Sequence, residues 1–253
     1  LLVHAAVLLI HADLQADVIR LGGTLSLSGV YQEPSEMIRK GYRLWRQQTN
    51  ARGGLLGRKV ELLIYDDESR PEKVRHYYRK LIEEDRVDLL LSPYGSPLTI
   101  AASEVAEDSG FVMVACASAA EAVWQRGTQR LFGVYATASR YFIGLIDLMA
   151  RHGYRRLAVV HENSPFHSEV ASAVQRWAAQ FRVKVELVQG FERGTDLTAV
   201  VHTLRQRQDT FDGLIVSAYP PDSYRLLTLF DKADYRPPVL GLSIVPTYPD
   251  FHV

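Results

Sequence analysis

Cys116, His161, His167 and the adjoining carboxylates Asp66 and Asp67 are the side chains whose types and places could do chemistry. Cys116 closes the apolar run FVMVAC, so it stands at a strand end, where a nucleophile can sit. A thiol needs a base or a lowered pKa to attack, and no histidine lies near it in the sequence. The bland alternative is a small buried apolar residue. As the only cysteine, it leaves no intrachain disulfide and no cysteine-rich zinc site. His161 ends one strand and His167 starts a helix, but no acidic cluster at metal-ligand spacing accompanies them. Asp66 and Asp67 look like a carboxylate dyad; ahead of Pro71 they serve better as a helix cap or a structural hydrogen-bonding pair. No G-x-G-x-x-G follows a strand and no P-loop occurs. The expectation is no catalytic residue, no metal and no cofactor, with a doubly wound α/β enzyme as the rival.

Recognition by hydroxyl and backbone groups is the stronger chemistry. SPYGSP, residues 92–97, follows three leucines and leads into the helical pattern PLTIAASEVAEDSG. Unpaired N–H groups and the dipole at a helix start favour an anion, and Ser96 would offer both its hydroxyl and its N–H. CASAAE sets Ser118 and Ala119 before a short turn at AAEAVW. Later strand ends, HENSPFH and SAYPPDS, bring aromatic residues, Phe166 and Tyr219. Small anion-binding loops opposed by aromatics describe a clamshell for a small ligand. For any one loop alone, a serine before a helix is more simply an N-cap.

The elements that must hold these loops alternate. VIRLGGTLSL, KVELLIYDD, VDLLLS and FVMVAC read as strands, with helices over PSEMIRKGYRLWRQQTNARGG, PEKVRHYYRKLIEED and the stretch after SPYGSP. A second series runs from the helix RYFIGLIDLMARHG through RRLAVVHE, KVELVQGF, FDGLIVSAY and PVLGLS, with helices between. Such alternation predicts parallel sheets covered on both faces. Two series predict two lobes, 17–137 and 138–253, meeting near FGVYATASRY.

The 29 basic and 29 acidic side chains balance, which argues against a nucleic-acid partner. LLVHAAVLLIHADLQA is too short to span a bilayer. It matches the apolar core of a signal peptide, with Ala16 as the residue before the cut, although it lacks a basic lead. Segment 1–16 is therefore expected to be a partial signal peptide, with a mis-started reading frame as the alternative.

These motifs together resemble the type I periplasmic solute-binding proteins of the branched-chain amino acid class of ABC transporters. The likeness is carried by IRLGGTLSLSG, NARGGLLGRKVELLIYDDESRPEK, LLLSPYGSP with ASEVAEDSG, RRLAVVHENSPF and DGLIVSAYPPD. It implies an α/β, two-lobed fold with parallel doubly wound sheets. It also implies a periplasmic monomer that captures an amino acid or a related carboxylate or amide for a transporter permease. A sensing domain of the same fold is the alternative.

By this resemblance Ser96 holds the ligand carboxylate, and Ala117 and Ala119 supply a carbonyl and an N–H. Ser118 lies between them, and Phe166 and Tyr219 line the second lobe. Ser243 stands where members that bind amino acids commonly place an acidic residue for the ammonium. Ala119 replaces a usual threonine, and Ser69 and Gly95 stand where some members have a disulfide. Relatives also continue past PTYPDFHV to return to the first lobe, so the expected fold is C-terminally incomplete.

Overall fold

The computed structural model describes residues 18–247; the leader-like segment 1–16 lies outside the described residues. The first sheet is built from β1 (Ile19–Leu25), β2 (Val60–Asp66), β3 (Leu89–Leu91), β4 (Met113–Ala115) and β5 (Leu131–Gly133). All its pairings are parallel, in the order β2-β1-β3-β4-β5. Between these strands run α1 (Gln32–Ala51), α2 (Pro71–Glu83), α3 (Ser96–Asp108) and the single turn α4 (Glu121–Trp124). The second sheet holds β6 (Arg156–Glu162), β7 (Lys184–Phe191), β8 (Gly213–Ser217) and β9 (Val239–Leu242), also parallel, in the order β7-β6-β8-β9. Its helices are α5 (Ile143–Arg151), α6 (Pro165–Gln180), α7 (Thr198–Gln206) and α8 (Asp222–Lys232). The α/β class with two sets of parallel strands is the one the alternation predicts.

Local chemistry explains several of these elements. Pro71 and Pro165 occupy the first helical positions of α2 and α6, where a missing N–H costs nothing. Ser164 caps α6 by accepting from the His167 N–H. In β1, Gly22 lies where a Cβ would sit 2.8 Å from Leu81 and Val87, so α2 packs directly on the bare strand. A Cβ on Gly23 would come 2.7 Å from the Leu91 carbonyl oxygen of β3. The largest apolar cluster runs from Leu81, Leu90 and Leu98 through Ile146 and Met149 to Leu157 and Ile215, so one core joins both sheets. A second cluster lies under α7 and α8.

Two local expectations change. Phe132 and Gly133, read as part of the junction between series, belong with Leu131 to β5, which pairs with β4. Asp66 and Asp67 do not cap α2, whose N-cap is Arg70. Asp67, fully buried, accepts from the hydroxyls of Thr24 (2.7 Å) and Ser26 (2.5 Å) and from the Ser69 N–H. Asp66 accepts from the N–H groups of Leu27 and Glu68 and the hydroxyl of Ser28. The pair therefore ties the β1–α1 loop to the β2–α2 loop, the structural alternative weighed for it. Burial pushes the Asp67 carboxyl up, against the pull of those donors.

Candidate functional site

In open parallel sheets, ligands bind beyond the strand C-termini where the strand order reverses direction. Here the order reverses between β1 and β3 in the first sheet and between β6 and β8 in the second. The loops leaving these four strands converge. Tyr31 follows β1 and Tyr94 follows β3; Phe166 follows β6 and Tyr219 follows β8. The Tyr219 ring lies 5.4 Å from Tyr31, 6.3 Å from Tyr94 and 6.1 Å from Phe166, centroid to centroid. Tyr141 adds an edge contact to Phe166 at 5.2 Å. Each contact is worth about 0.5–1.5 kcal/mol beyond its burial, so the aromatic residues hold the two loop clusters face to face.

Between them lies a cavity of about 240 Å³. Its first-sheet wall carries Tyr94, Ser96, Cys116, Ala117 and Ala119, and Met37 and Ile38 of α1 close one side. Tyr141, Phe166, Tyr219 and Ile244 form the opposite wall, with Tyr135 at the edge. No side chain on this wall is charged at neutral pH.

Ser96 is the first residue of α3, and Gly95, at φ +85°, is the N-cap. The glycine is needed there, since a left-handed backbone strains any residue with a Cβ. Ser96 is thus not the N-cap that the simple reading suggests. Its Oγ accepts from the Ala120 N–H at 3.1 Å and from the Ser118 hydroxyl at 3.5 Å. With its acceptor capacity used, the hydroxyl has its proton left to donate. The Ala119 N–H meets no acceptor among the described residues. The Ala117 carbonyl already accepts from the Gly95 N–H at 3.0 Å. Ser96 and Ala119 line the cavity beside the positive end of α3, an arrangement that suits a carboxylate or carbonyl oxygen.

Of the residues expected from the sequence, Ser96, Ala117, Ala119, Phe166 and Tyr219 come together on this wall. Ser118 lies behind it, fully buried, and reaches Ser96 instead. Ser243 is also off the wall. Its N–H donates to Val216, continuing the β8–β9 ladder, and its Oγ is buried with no partner. The chain bends at Ser243 and Ile244, and it is Ile244 that reaches the cavity.

Sequence reasoning missed a charged group beside the cavity. Glu162 ends β6 at 2% exposure, and its Oε1 takes Arg193 Nε at 3.0 Å and Nη2 at 2.9 Å. Its Oε2 accepts from the Tyr219 N–H at 3.1 Å. The Arg193 guanidinium lies 5.1 Å from the ring centres of both Tyr31 and Tyr219, bridging the loops of the two sheets. Burial pushes the Glu162 carboxyl above its ordinary range, and Arg193 offsets part of that. His167 is wholly buried; its Nδ1 bonds the Ser217 hydroxyl at 2.8 Å, and its ring packs on Tyr219 at 4.3 Å. Burial holds its pKa well below 6.5. The only signal for this cluster was an acid and a base at strand ends, in VVHE and GFERGTD. Cys116 Sγ lies 3.0 Å from the Tyr42 hydroxyl, and burial raises its pKa, the opposite of what an attacking thiol needs. Among the described residues no group of three or more His, Cys, Asp or Glu could hold a metal, and no helix is long and apolar enough to cross a membrane.

A family model described as periplasmic binding protein matches residues 18–249. The Leu/Ile/Val-binding protein homolog 8 of Brucella abortus is 26% identical over 244 residues, 90% of this chain and 60% of its own length. Among solved structures, the branched-chain amino acid transporter substrate binding protein LivJ of Streptococcus pneumoniae, in complex with isoleucine, is similar at a TM-score of 0.80. It is 18% identical, over 89% of this chain and 64% of that one. A solute binding protein from R. palustris in complex with benzoate is similar at 0.76, 18% identical, over 93% and 66%. The chain therefore spans about 60% of the length of the Brucella relative.

Proposed function

The chain belongs to the periplasmic binding protein family, and from that premise we propose that it captures a small carboxylate between its two loop clusters for uptake by an ABC transporter. It is a binder rather than an enzyme and works outside the cytoplasm, beside a membrane permease. The observation that carries this reading is the cavity at the facing strand ends, with Ser96 and the start of α3 on one wall and aromatic rings on the other. The relatives lend support: one is named for leucine, isoleucine and valine, one solved structure holds isoleucine and another benzoate. These molecules share a carboxylate and an apolar body, the two features this cavity matches. The bond from Ser96 to a charged oxygen contributes about 1.5–3 kcal/mol. Ring and methylene contacts with Phe166 and Tyr219 supply the rest.

A thermal-shift screen against amino acids, amides and aromatic and aliphatic acids tests the reading. A saturable rise of Tm with at least one carboxylate is expected, because a ligand that binds only the folded state stabilises it by mass action. No shift with any of them at millimolar concentration would refute it.

A further inference from the structure

Building on that reading, we infer that the cavity selects a ring-bearing carboxylate with no ammonium beside the carboxyl group, and that it discriminates against α-amino acids. The first ground is charge. No Asp or Glu lies on the wall. The buried carboxylate of Glu162, which reaches the Tyr219 backbone, is occupied by Arg193 and the Tyr219 N–H. Glu121, two residues past Ala119, is off the wall; its Oε1 accepts from the Ser139 N–H, and its Oε2 is buried with no hydrogen-bond partner among the described residues. An ammonium taken from water into this space meets no counter-charge, and burying an unpaired charge is costly.

The second ground is the state of the polar groups that do face the space. Ser96 has its proton to give, and the Ala119 N–H is a further donor. The Ala117 carbonyl, the acceptor closest to them in the sequence, is engaged by Gly95. The wall thus offers a carboxylate two donors, whereas an ammonium meets only neutral oxygens, the Ala117 carbonyl and tyrosine hydroxyls. The third ground is shape. Tyr141, Phe166 and Tyr219 form an aromatic wall, with Phe166 edge-on to Tyr141 at 5.2 Å and tilted 34° to Tyr219 at 6.1 Å. An aromatic ligand can meet these rings edge to face or offset-stacked, contacts that a branched alkyl group lacks. Cation–π attraction to the tyrosines favours an ammonium, but by less than its desolvation costs.

Four ligands separate the two features: 3-phenylpropanoate, phenylalanine, 4-methylpentanoate and leucine. The members of each pair differ in the ammonium, and the two pairs differ in the ring. Titration calorimetry of the chain should give a Kd for 3-phenylpropanoate at least about tenfold below that of phenylalanine. It should also lie below that of 4-methylpentanoate. Leucine or phenylalanine binding more tightly than its ammonium-free partner would overturn the inference and leave the carboxylate-binding reading standing. Tighter binding of 4-methylpentanoate than of 3-phenylpropanoate would overturn the ring preference. Binding of none of the four would overturn the inference alone, and the thermal-shift screen against the wider panel decides the carboxylate-binding reading. Repeating the best titration with Ser96→Ala checks the location, and an unchanged Kd would place binding away from the inferred wall.

Discussion

Replacing Arg193 by methionine keeps most of the apolar stem and removes the charge that neutralises Glu162. Removing one partner of a buried ion pair typically costs about 3–5 kcal/mol, because the other charge is left without compensation. Two features lower the figure here. The Arg193 side chain is 29% exposed while that of Glu162 is 3% exposed, so water already screens part of the pair. Glu162 also keeps the Tyr219 N–H and can take up a proton. A loss of about 2–3 kcal/mol at pH 7.5 is therefore expected, read from urea unfolding curves at fixed m. The pH dependence follows from Glu162, whose folded pKa burial already raises. Without Arg193 it rises further. A group with a raised folded pKa stabilises fully below its unfolded pKa and loses that contribution as pH rises through the folded one. The Arg193→Met deficit should thus be largest at pH 7.5 and shrink toward pH 5. Adding Glu162→Gln to the variant should recover at least half of it, since the neutral amide needs no counter-charge. A deficit below about 0.5 kcal/mol, within the range of an ordinary surface change, would refute the reasoning. So would a deficit that grows toward acid pH, or a double variant no better than the single one.

Ser96→Ala should weaken binding of a carboxylate by about tenfold to a hundredfold by titration calorimetry. It should also lower stability by about 1 kcal/mol, because the buried Ala120 N–H loses its acceptor. Tyr219→Ala removes the ring that contacts Tyr31, Tyr94, Phe166 and His167, and should weaken both folding and ligand binding, the former by about 3–5 kcal/mol. His167 is held neutral by burial, so its contribution is present above the unfolded pKa of 6.5 and lost as pH falls. Relative to a His167→Gln variant, the protein should lose about 1.4 kcal/mol between pH 7.5 and 5.5. A parallel pH dependence of the two chains would contradict the neutral buried imidazole. Gly95→Ala should destabilise by roughly 1–2 kcal/mol through its left-handed backbone alone. A Cβ there meets Pro97 and the Tyr219 hydroxyl only at 4.0 Å.

The fold was legible because its signals are long and repeated. Apolar runs such as LAVV, bounded by helices with proline at their starts, leave few alternatives to buried parallel strands. β5 escaped because Phe132 and Gly133 fell in the stretch read as the junction between series, and its place is set by pairing with β4. On the wall, Ser96 was expected as a donor from its position after a buried strand, but the bonds that set its hydroxyl were not legible. That Gly95 takes the cap and leaves Ser96 a donor depends on backbone angles and on Ala120, twenty-four residues away. Ser243 and Ile244 show the opposite limit. They are adjacent where the chain bends after β9, so the local turn decides which of them lines the cavity. The Glu162–Arg193 pair is thirty-one residues apart, and among so many charges no local pattern marks it.

The position of a bound ligand tests the central claim most directly. A crystal structure of the chain with 3-phenylpropanoate should place the carboxylate within hydrogen-bonding distance of Ser96 Oγ and the Ala119 N–H. The ring should lie against Phe166 and Tyr219. A ligand bound outside this cavity, or bound within it with its carboxylate turned away from Ser96, would contradict the account.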